Sequence, residues 1–306
     1  MTNQSCEPFV SIVTPSYNQG CFIRATIESV LSQDYPHIEC WVIDGGSTGT
    51  DETLDVLRSF EGDLRFHWIS EPDRGQPHAI NKGLARCQGE IFNWLCSDDC
   101  LTPGALRRVV NAWRANGPSL IYGYTRYIDA KGRDLGRYSR GKPKVSGLYC
   151  MPQPSVFLPQ KVVKDVGGVD ESLHYTADLD LWMRLMSVCK AVLLPYDLSL
   201  YRLHDTSKSV FQPLGFLRDF ECVAIRAARL GQISSSEALC EVDLFASIIY
   251  TASKQKDLRK VFRHAFRSVV RNPLTLPDAI AILTKGVTRY LIGEQNWTVL
   301  RRRLVS

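Results

Sequence analysis

The sequence lacks several patterns that would assign it to a common class of protein. Its ten cysteines include no C-x-x-C pair, which argues against a zinc ribbon or a redox motif and favours free thiols. Neither G-x-G-x-x-G nor G-x-x-x-x-G-K-[ST] occurs, so a dinucleotide-dependent enzyme or a P-loop NTPase is not expected. No apolar run reaches the roughly 18 residues of a membrane span, and the N-terminus has no signal-peptide pattern. We therefore expect a cytoplasmic protein.

The composition is that of a globular protein with an uneven charge distribution. The 306 residues are 44% hydrophobic and carry a net charge of +5, enough apolar content for a large core. Residues 254–306 contain twelve basic and three acidic side chains, so this tail carries +9 and the preceding residues carry −4. A basic tail on an acidic body predicts an anionic partner such as a membrane surface, and it does not indicate a nucleic-acid-binding core.

Short apolar runs alternate with amphipathic segments in the first half of the chain. This alternation predicts βα units around a largely parallel sheet. The predicted strands are Phe9 to Thr14, Glu39 to Ile43, Leu64 to Ser70, Ile91 to Leu95, Ser119 to Tyr124, Ser155 to Leu158 and Ala191 to Leu194. From about Gln212 onward helical patterns take over. We therefore predict an α/β body over residues 1–209 and a basic, helical extension over residues 210–306.

One segment of the extension, Asp257 to Val270, is strongly amphipathic. Apolar residues are predicted on one of its faces and mostly basic residues on the other: Leu258, Val261, Phe262, Ala265, Phe266 and Val269 form the apolar set. Basic amphipathic helices bind anionic lipid surfaces, whereas a charged face is more often only solvated. Both interpretations stay open.

Two adjacent carboxylates, Asp98 and Asp99, follow the apolar run IFNWLCS. They should emerge at the carboxyl end of a strand, the edge at which open α/β sheets bind ligands. Mg²⁺ or Mn²⁺ prefers oxygen ligands and often uses only one or two carboxylates, leaving its other positions to water and substrate phosphates. The alternative is a helix N-cap before Thr102 and Pro103.

A third carboxylate, Asp44, leaves its strand into the Gly-rich turn of WVIDGGSTGTDET. A carboxylate accepts hydrogen bonds, so it would suit the ring N–H of uracil or thymine and would not suit cytosine, with guanine also possible. The alternative is an Asx turn, which Asp-Gly forms readily.

Taken in order, these motifs resemble a known family. The stretch VSIVTPSYNQGCFIRATIESVLSQDYPHIECWVIDGGSTGTDET, followed by EPDRGQPHAINKGLARCQGEIFNWLCSDDCLTPGAL, resembles the nucleotide-binding half of family 2 glycosyltransferases of GT-A fold. The resemblance covers roughly residues 8 to 209. It implies an α/β fold of GT-A type, with a mixed, mostly parallel central sheet flanked by helices, and here with a C-terminal helical extension.

The resemblance implies a role for individual residues around a nucleotide. Pro15 and Tyr17 would border the base, and Asp44 and Arg74 would hydrogen-bond it. The residues that would shape the floor of the pocket are Asp73, Asn81 and Gly83.

Further positions would meet the diphosphate and the sugar. Asp98 would contact the ribose or diphosphate, and Asp99 would bind the Mg²⁺ or Mn²⁺ ion that bridges the donor phosphates. Gln153 would lie near the donor or acceptor sugar, and His204 could reach the metal or the diphosphate.

The segment HYTADLDLWMRL matches the acceptor-side motif of the family, with Asp178 in the position of the catalytic base. An inverting displacement needs a carboxylate within reach of the acceptor hydroxyl, to accept its proton as the oxygen attacks the anomeric carbon. Asp180 is the second candidate, but on a helix it would point away from Asp178. For each, the alternative is a charge that favours the helix dipole.

The sequence departs from the family pattern at two positions. Cys96 replaces the usual acidic residue two positions before Asp98, and Ala177 replaces the acidic neighbour of the base. The first change leaves fewer carboxylates for a metal ion, and the second removes one group that could orient Asp178 or its acceptor.

The resemblance implies an inverting transfer of a sugar from a nucleotide diphosphate donor, with UDP or dTDP favoured and GDP possible, to the hydroxyl of a glycan, a lipid-linked or another acceptor. The expected setting is cell-surface polysaccharide or glycolipid assembly, in the cytoplasm or on the inner face of its membrane. Two alternatives stay open: a module that binds nucleotide sugar or glycan without turnover, and a sugar-1-phosphate nucleotidyltransferase. The latter should carry a basic, Gly-rich N-terminal loop, which VTPSYNQG does not provide.

Overall fold

The computed structural model describes residues 7–49, 51–137, 151–205, 207, 213–252, 258–275, 278–280 and 282. The chain forms two compact units: Met1–Arg140 with Tyr149–His204, and Gly141–Leu148 with Asp205–Ser306. Cys6 and Cys150 lie outside the described residues, and the eight cysteines within them are free thiols, as expected.

The first unit is built on a mixed sheet. Its described strands are β1 (Val10–Ser16), β2 (Ile38–Asp44), β3 (Phe66–Ser70), β4 (Ile91–Trp94), β5 (Cys100–Leu101), β6 (Leu120–Asp129), β7 (Asp134–Arg137), β8 (Val156–Pro159) and β9 (Ala191–Leu203). The strand order is β3-β2-β1-β4-β8-β6-β9-β5, with β7 paired to β6. The mixed, mostly parallel sheet expected from the sequence is confirmed.

The four strands β1 to β4 run parallel, as their alternation with helices predicts. Ser16 lies opposite Asp44, and Asp44 lies opposite Ser70, so β1, β2 and β3 end at one level. The strand β4 pairs with β1 up to Val13 opposite Trp94. The loops that follow these strands therefore start at the same edge of the sheet.

Six helices in the described part of this unit connect the strands. They are α1 (Gly20–Leu31), α2 (Thr53–Arg58), α3 (Gln76–Arg86), α4 (Ala105–Asn116), α5 (Gln160–Asp165) and α6 (Ala177–Met186). Pro77 stands in the first turn of α3, where a missing N–H is tolerated, and Gly75 before it has a φ of 108°. The helix α4 buries the apolar residues that its sequence spacing predicts.

The helix α3 lies unusually close to the sheet because of one glycine. A Cβ at Gly83 would stand 2.4 Å from Cγ1 and 2.7 Å from Cγ2 of Val13, closer than real Cβ atoms approach other atoms, and 3.2 Å from Cγ1 of Ile43. Since α3 begins directly after the β3 loop, this close approach fixes where that loop leaves the sheet.

The second unit is helical in its described part, as predicted. It contains α7 (Pro213–Arg229), α8 (Ser235–Ala252) and α9 (Leu258–Arg271), and α8 packs against both of the others. A capping box starts α8, since Glu237 N–H donates to Ser234 Oγ (3.1 Å) and Ser234 N–H donates to Glu237 Oε2 (2.7 Å). Within the described part of the chain, no helix is both long and apolar enough to cross a bilayer.

The apolar face predicted for Asp257 to Val270 is wrong in part. Val261 and Ala265 are buried, whereas Phe262 and Phe266 are 48% and 70% exposed. The apolar residues of α9 therefore divide between a buried side and an exposed side. The predicted basic residues from Lys285 onward, together with Lys254 and Lys256, lie outside the described residues.

Candidate functional site

Two loops at the carboxyl edge of the sheet are joined by Asn18. Asn18 N–H donates to Ser47 Oγ (2.7 Å), and its side-chain Oδ1 accepts from Thr48 N–H (3.1 Å). Pro15 is buried in β1, whereas Tyr17 directly beyond the strand is 56% exposed. The sequence thus places a free aromatic face beside the loop that begins at Asp44.

Asp44 forms the Asx turn that the sequence offered as an alternative. Its Oδ2 accepts hydrogen bonds from the N–H groups of Gly46 (3.1 Å) and Ser47 (2.8 Å) and from Ser70 Oγ (2.6 Å). Its Oδ1 accepts only from Ser47 Oγ (2.5 Å) among the described groups, and the side chain is fully buried. Oδ1 therefore accepts fewer hydrogen bonds than Oδ2 and retains a lone pair for a further donor. Its role toward a base stays a prediction.

Asp73, predicted for the pocket floor, lies directly against the Asp44 loop. A Cβ at Gly45 would come within 2.7 Å of Asp73 Oδ2, so a larger residue at this position would force the Asp73 side chain to move. The other oxygen of Asp73 accepts a hydrogen bond from Gly75 N–H (2.7 Å). Asp44 and Asp73 are therefore brought together, as the resemblance implies.

Arg74 and Asn81 share a partner that the sequence did not reveal. Arg74 is exposed and pairs with Glu171 (2.5 Å), while Asn81 donates to Glu171 Oε1 (3.0 Å) and to the carbonyl of Val169 (2.8 Å). The hydrogen bond from Asn81 and the guanidinium of Arg74 lower the pKa of Glu171. This pairing ties the β3 loop to the segment that leads into α6, across 90 residues or more of sequence.

Asp99 is a buried carboxylate whose two oxygens differ in their contacts. Its side chain is 1% exposed; Oδ1 accepts a hydrogen bond from Arg202 N–H (2.9 Å), whereas Oδ2 has no hydrogen-bond partner. Burial, and then the charge of Asp98, raise the pKa of Asp99 well above its ordinary value. Neither aspartate caps a helix, since α4 begins at Ala105 after Gly104.

The strand β9 and the helix α1 enclose these two carboxylates. His204 Nε2 lies 2.9 Å from Asp98 Oδ2, and its ring packs on Phe22 at a centroid distance of 4.6 Å. Arg202 Nε donates to the carbonyl of Asp98 (2.8 Å), and Thr26 Oγ1 donates to the carbonyl of Asp99 (2.7 Å). His204 thus joins the carboxylate cluster through Asp98, and its metal binding stays a prediction.

Cys96, the departure from the family pattern, belongs to the same cluster. Ligand atoms of Cys96, Asp98 and Asp99 all lie within 4.8 Å of one another. Gln76 Nε2 lies 3.2 Å from Cys96 Sγ, and this thiol lies 3.4 Å from Gln153 Oε1. The structure therefore brings Gln153 to the carboxylate pair, although the two segments are far apart in sequence.

These residues fit a divalent cation. A buried carboxylate oxygen without a donor, beside a second carboxylate, is stabilised when a positive charge is placed between them. The two carboxylates provide oxygen ligands for Mg²⁺ or Mn²⁺ and leave positions open for phosphate oxygens and water, whereas the thiol of Cys96 is a poor ligand for such a hard cation.

The two candidate bases, Asp178 and Asp180, differ in their contacts and in their burial. Asp180 is 1% exposed and pairs with Arg184 (2.8 Å), whose guanidinium also donates to the carbonyls of Val166 and Gly168. Asp178 is half-buried, and its Oδ1 accepts a hydrogen bond from Leu179 N–H (2.8 Å). Asp180 therefore has a structural role in holding α6.

A tryptophan one helical turn after Asp178 packs against the end of β4. Trp182 stacks on Trp94 with ring centroids 5.1 Å apart, and Trp94 ends β4 directly before the Cys96 to Asp99 segment. Residues four apart lie on the same face of a helix, so Asp178 and Trp182 share the face toward the end of β4. Gln153, which donates to the carbonyl of Trp94 (2.6 Å), lies at the same strand end.

Comparison with known proteins relates the chain to glycosyltransferases. The profile described as Glycosyl transferase family 2 matches residues 11–162. A glycosyltransferase of Rickettsia typhi, itself uncharacterized, is 30% identical over 235 residues, which are 73% of this chain and 72% of that protein. Three further Rickettsia glycosyltransferases are longer, and the chain spans about a third of the length of each.

Two solved structures share the fold at low sequence identity. S. aureus TarS 1-349 in complex with UDP-GlcNAc has a TM-score of 0.60 and 14% identity, covering 94% of this chain and 92% of that one. The mannosyltransferase PcManGT from Pyrobaculum calidifontis, in complex with GDP-Man and Mn²⁺, has a TM-score of 0.57 and 17% identity, covering 94% and 88%.

Proposed function

The chain belongs to glycosyl transferase family 2, and on this premise we propose that it transfers a sugar from a nucleotide diphosphate donor to an acceptor hydroxyl, with inversion at the anomeric carbon. The observation that carries the proposal is the Asp98–Asp99 pair, with its unpartnered buried oxygen, at the carboxyl edge of a parallel sheet. A buried oxygen of this kind is costly unless a ligand compensates it. The geometry therefore supports a cation and a diphosphate at this edge.

The nucleotide would lie over the loops that follow β1, β2 and β3. The exposed ring of Tyr17 offers a surface on which a base could stack, and Asp44 Oδ1 can accept one further hydrogen bond. An acceptor at that position favours uracil or thymine, whose ring carries an N–H, over cytosine. UDP or dTDP donors are therefore favoured, while the GDP-Man bound by PcManGT keeps guanine among the candidates.

The diphosphate would lie at the Cys96 to Asp99 segment. A bound Mg²⁺ or Mn²⁺ ion would neutralise the negative charge that develops on the departing nucleoside diphosphate. Asp99 would hold the ion, and His204 would orient Asp98 through their 2.9 Å contact.

Asp178 would act as the general base. It would accept the proton of the acceptor hydroxyl as that oxygen forms a bond to the anomeric carbon, while the bond from this carbon to the diphosphate oxygen breaks. The 1% exposure of Asp180 and its pairing with Arg184 favour Asp178 for this role, since a base must reach the substrate. Gln153, beside Cys96, would contact the sugar.

The acceptor would be a glycan or a lipid-linked sugar, as in the assembly of cell-surface polysaccharides or glycolipids. Two other functions, a non-catalytic binding module and a sugar-1-phosphate nucleotidyltransferase, make different predictions for the same purified chain.

A donor panel separates these functions. Full-length protein is incubated with UDP-, dTDP- and GDP-sugars and Mn²⁺, with and without a pool of glycan acceptors, and the released nucleoside diphosphate is measured. Acceptor-dependent release supports transfer. Nucleotide binding by calorimetry without release from any donor would assign a binding module. Pyrophosphate formed from a nucleoside triphosphate and a sugar 1-phosphate would assign a nucleotidyltransferase.

A further inference from the structure

The helix α9 presents an unusual pattern of side chains to its surroundings. Three exposed apolar residues stand four positions apart: Phe262, Phe266 and Val270, exposed by 48%, 70% and 65%. The next turn of chain continues the spacing with Leu274, which is 81% exposed. Large exposed apolar side chains in a row are uncommon on a soluble protein surface and indicate a docking site.

An arginine directly follows each residue of this apolar row within α9, as Arg263, Arg267 and Arg271 follow Phe262, Phe266 and Val270. Arg259 begins the basic row one turn earlier. Arg259, Arg263 and Arg267 are exposed, and none of them pairs with a carboxylate of the described residues. Two parallel rows, one apolar and one cationic, therefore run along the outer side of the helix.

The opposite side of α9 is buried and bonded to α8, so the helix cannot rotate to bury Phe262, Phe266 and Val270. Val261, Ala265 and Ser268 are fully or almost fully buried there. Asp243 of α8 contacts His264 Nδ1 (2.7 Å) and also pairs with Arg271. Phe262 and Phe266 are thus exposed while α9 is packed against α8.

We propose that this face of α9 docks on an anionic lipid bilayer, with the row of Phe262, Phe266 and Val270 entering the interface and the unpaired arginines contacting lipid phosphates. Phenylalanine side chains on an interfacial helix are stabilised in the headgroup and acyl boundary, and each cation close to an anionic surface adds to the attraction. A second copy of the chain is a poorer occupant, since joining two such faces would bring the arginine rows together. The proposal does not depend on the transferase chemistry.

Vesicle flotation of the full-length protein tests this inference. Wild-type protein should float with phosphatidylcholine vesicles that contain phosphatidylglycerol, and it should stay at the bottom with pure phosphatidylcholine. Phe266→Ser should weaken partitioning by about tenfold. Its matched control is Leu64→Ser, which removes a 94% exposed apolar side chain from the first unit and should leave flotation unchanged.

The charge contribution is tested separately. Arg263→Gln should weaken partitioning by about fivefold, whereas Arg263→Lys, which keeps the charge, should restore it. Equal melting temperatures of all variants would show that each is folded. Flotation on neutral and anionic vesicles alike, or unchanged flotation of Phe266→Ser, would overturn the proposal. So would concentration-dependent dimerisation that Phe266→Ser abolishes in the absence of vesicle binding.

Discussion

Trp182 stacks on Trp94 with 5.1 Å between the ring centroids, and this contact joins the helix of the proposed base to the strand that precedes the proposed cation ligands. Trp94 ends the strand that leads to Asp98 and Asp99, and Trp182 lies one helical turn after Asp178. The stack therefore holds α6 against the end of β4, so that Asp178, the proposed base, and Asp98 and Asp99, the proposed cation ligands, face the same edge.

Asp178→Asn should lower the rate of sugar transfer at least 100-fold, since a general base contributes about that much or more. Donor affinity should stay nearly unchanged, because Asp178 has no proposed contact with the nucleotide. The measurement is acceptor-dependent release of nucleoside diphosphate, together with calorimetry of nucleotide binding.

The matched variant is Asp180→Asn on the same helix. Asp180 is buried against Arg184, a side chain that is 19% exposed, so its loss removes the charge partner of this guanidinium and should destabilise the fold by about 1 to 3 kcal/mol. A lower melting temperature with transfer retained is expected. Transfer lost in Asp180→Asn and kept in Asp178→Asn would reassign the base.

Asp99→Asn should stabilise the protein in the presence of EDTA. Because burial and Asp98 raise the pKa of Asp99, the folded state binds a proton more tightly than the unfolded state does. Wild-type stability should therefore decrease as the pH rises above the ordinary aspartate range. The variant, which cannot ionise at this position, should therefore be more stable than the wild type at pH 8, and the difference should shrink as the pH falls. Thermal unfolding from pH 4 to pH 8 measures this difference; a constant difference across the range would contradict it.

Cys96→Asp should strengthen Mn²⁺ binding by about tenfold, since it adds a carboxylate to the cluster that Asp98 and Asp99 form. Without metal the same variant should melt at a lower temperature, because a third negative charge joins the cluster. Cys96→Ser, which is neutral and similar in size, is the control. Titration of free Mn²⁺ by electron paramagnetic resonance gives both affinities, and equal values for the two variants would place Cys96 outside the metal site.

Gly83→Ala should destabilise the protein by about 1 to 3 kcal/mol, because its Cβ would stand 2.4 Å from Val13 Cγ1. Gly62→Ala is the matched control, since nothing lies within 4 Å of a Cβ at that position. Denaturant unfolding measures both. An unchanged Gly83→Ala protein would mean that α3 is not fixed on the sheet by this contact.

Local patterns in the sequence were sufficient for the parallel half of the fold. The alternation of apolar runs predicted both ends of β1 to β4 to within two residues, because residue types typical of turns bound each of these strands. Asp44 and the Asp98–Asp99 pair could be placed at strand ends for the same reason.

Contacts between distant segments could not be predicted in this way. Nothing near Asp99 in sequence indicates that the N–H of Arg202 will satisfy one of its oxygens and leave the other without a donor. The link from Arg74 and Asn81 to Glu171 likewise depends on how α6 packs. In α9, periodicity identified the apolar residues. It did not show that Ala265 is buried and Phe266 exposed, because burial depends on how α9 packs on α8.

Calorimetry of UDP binding with and without Mn²⁺ tests the central claim most directly, namely that Asp98 and Asp99 hold the cation that binds the donor diphosphate. Wild-type protein should bind UDP at least tenfold more tightly with Mn²⁺ than with EDTA, and Asp99→Asn should lose that difference while it keeps the weaker, metal-free affinity. Equal UDP affinity in EDTA and Mn²⁺ for the wild type, or an undiminished Mn²⁺ effect in Asp99→Asn, would contradict the account.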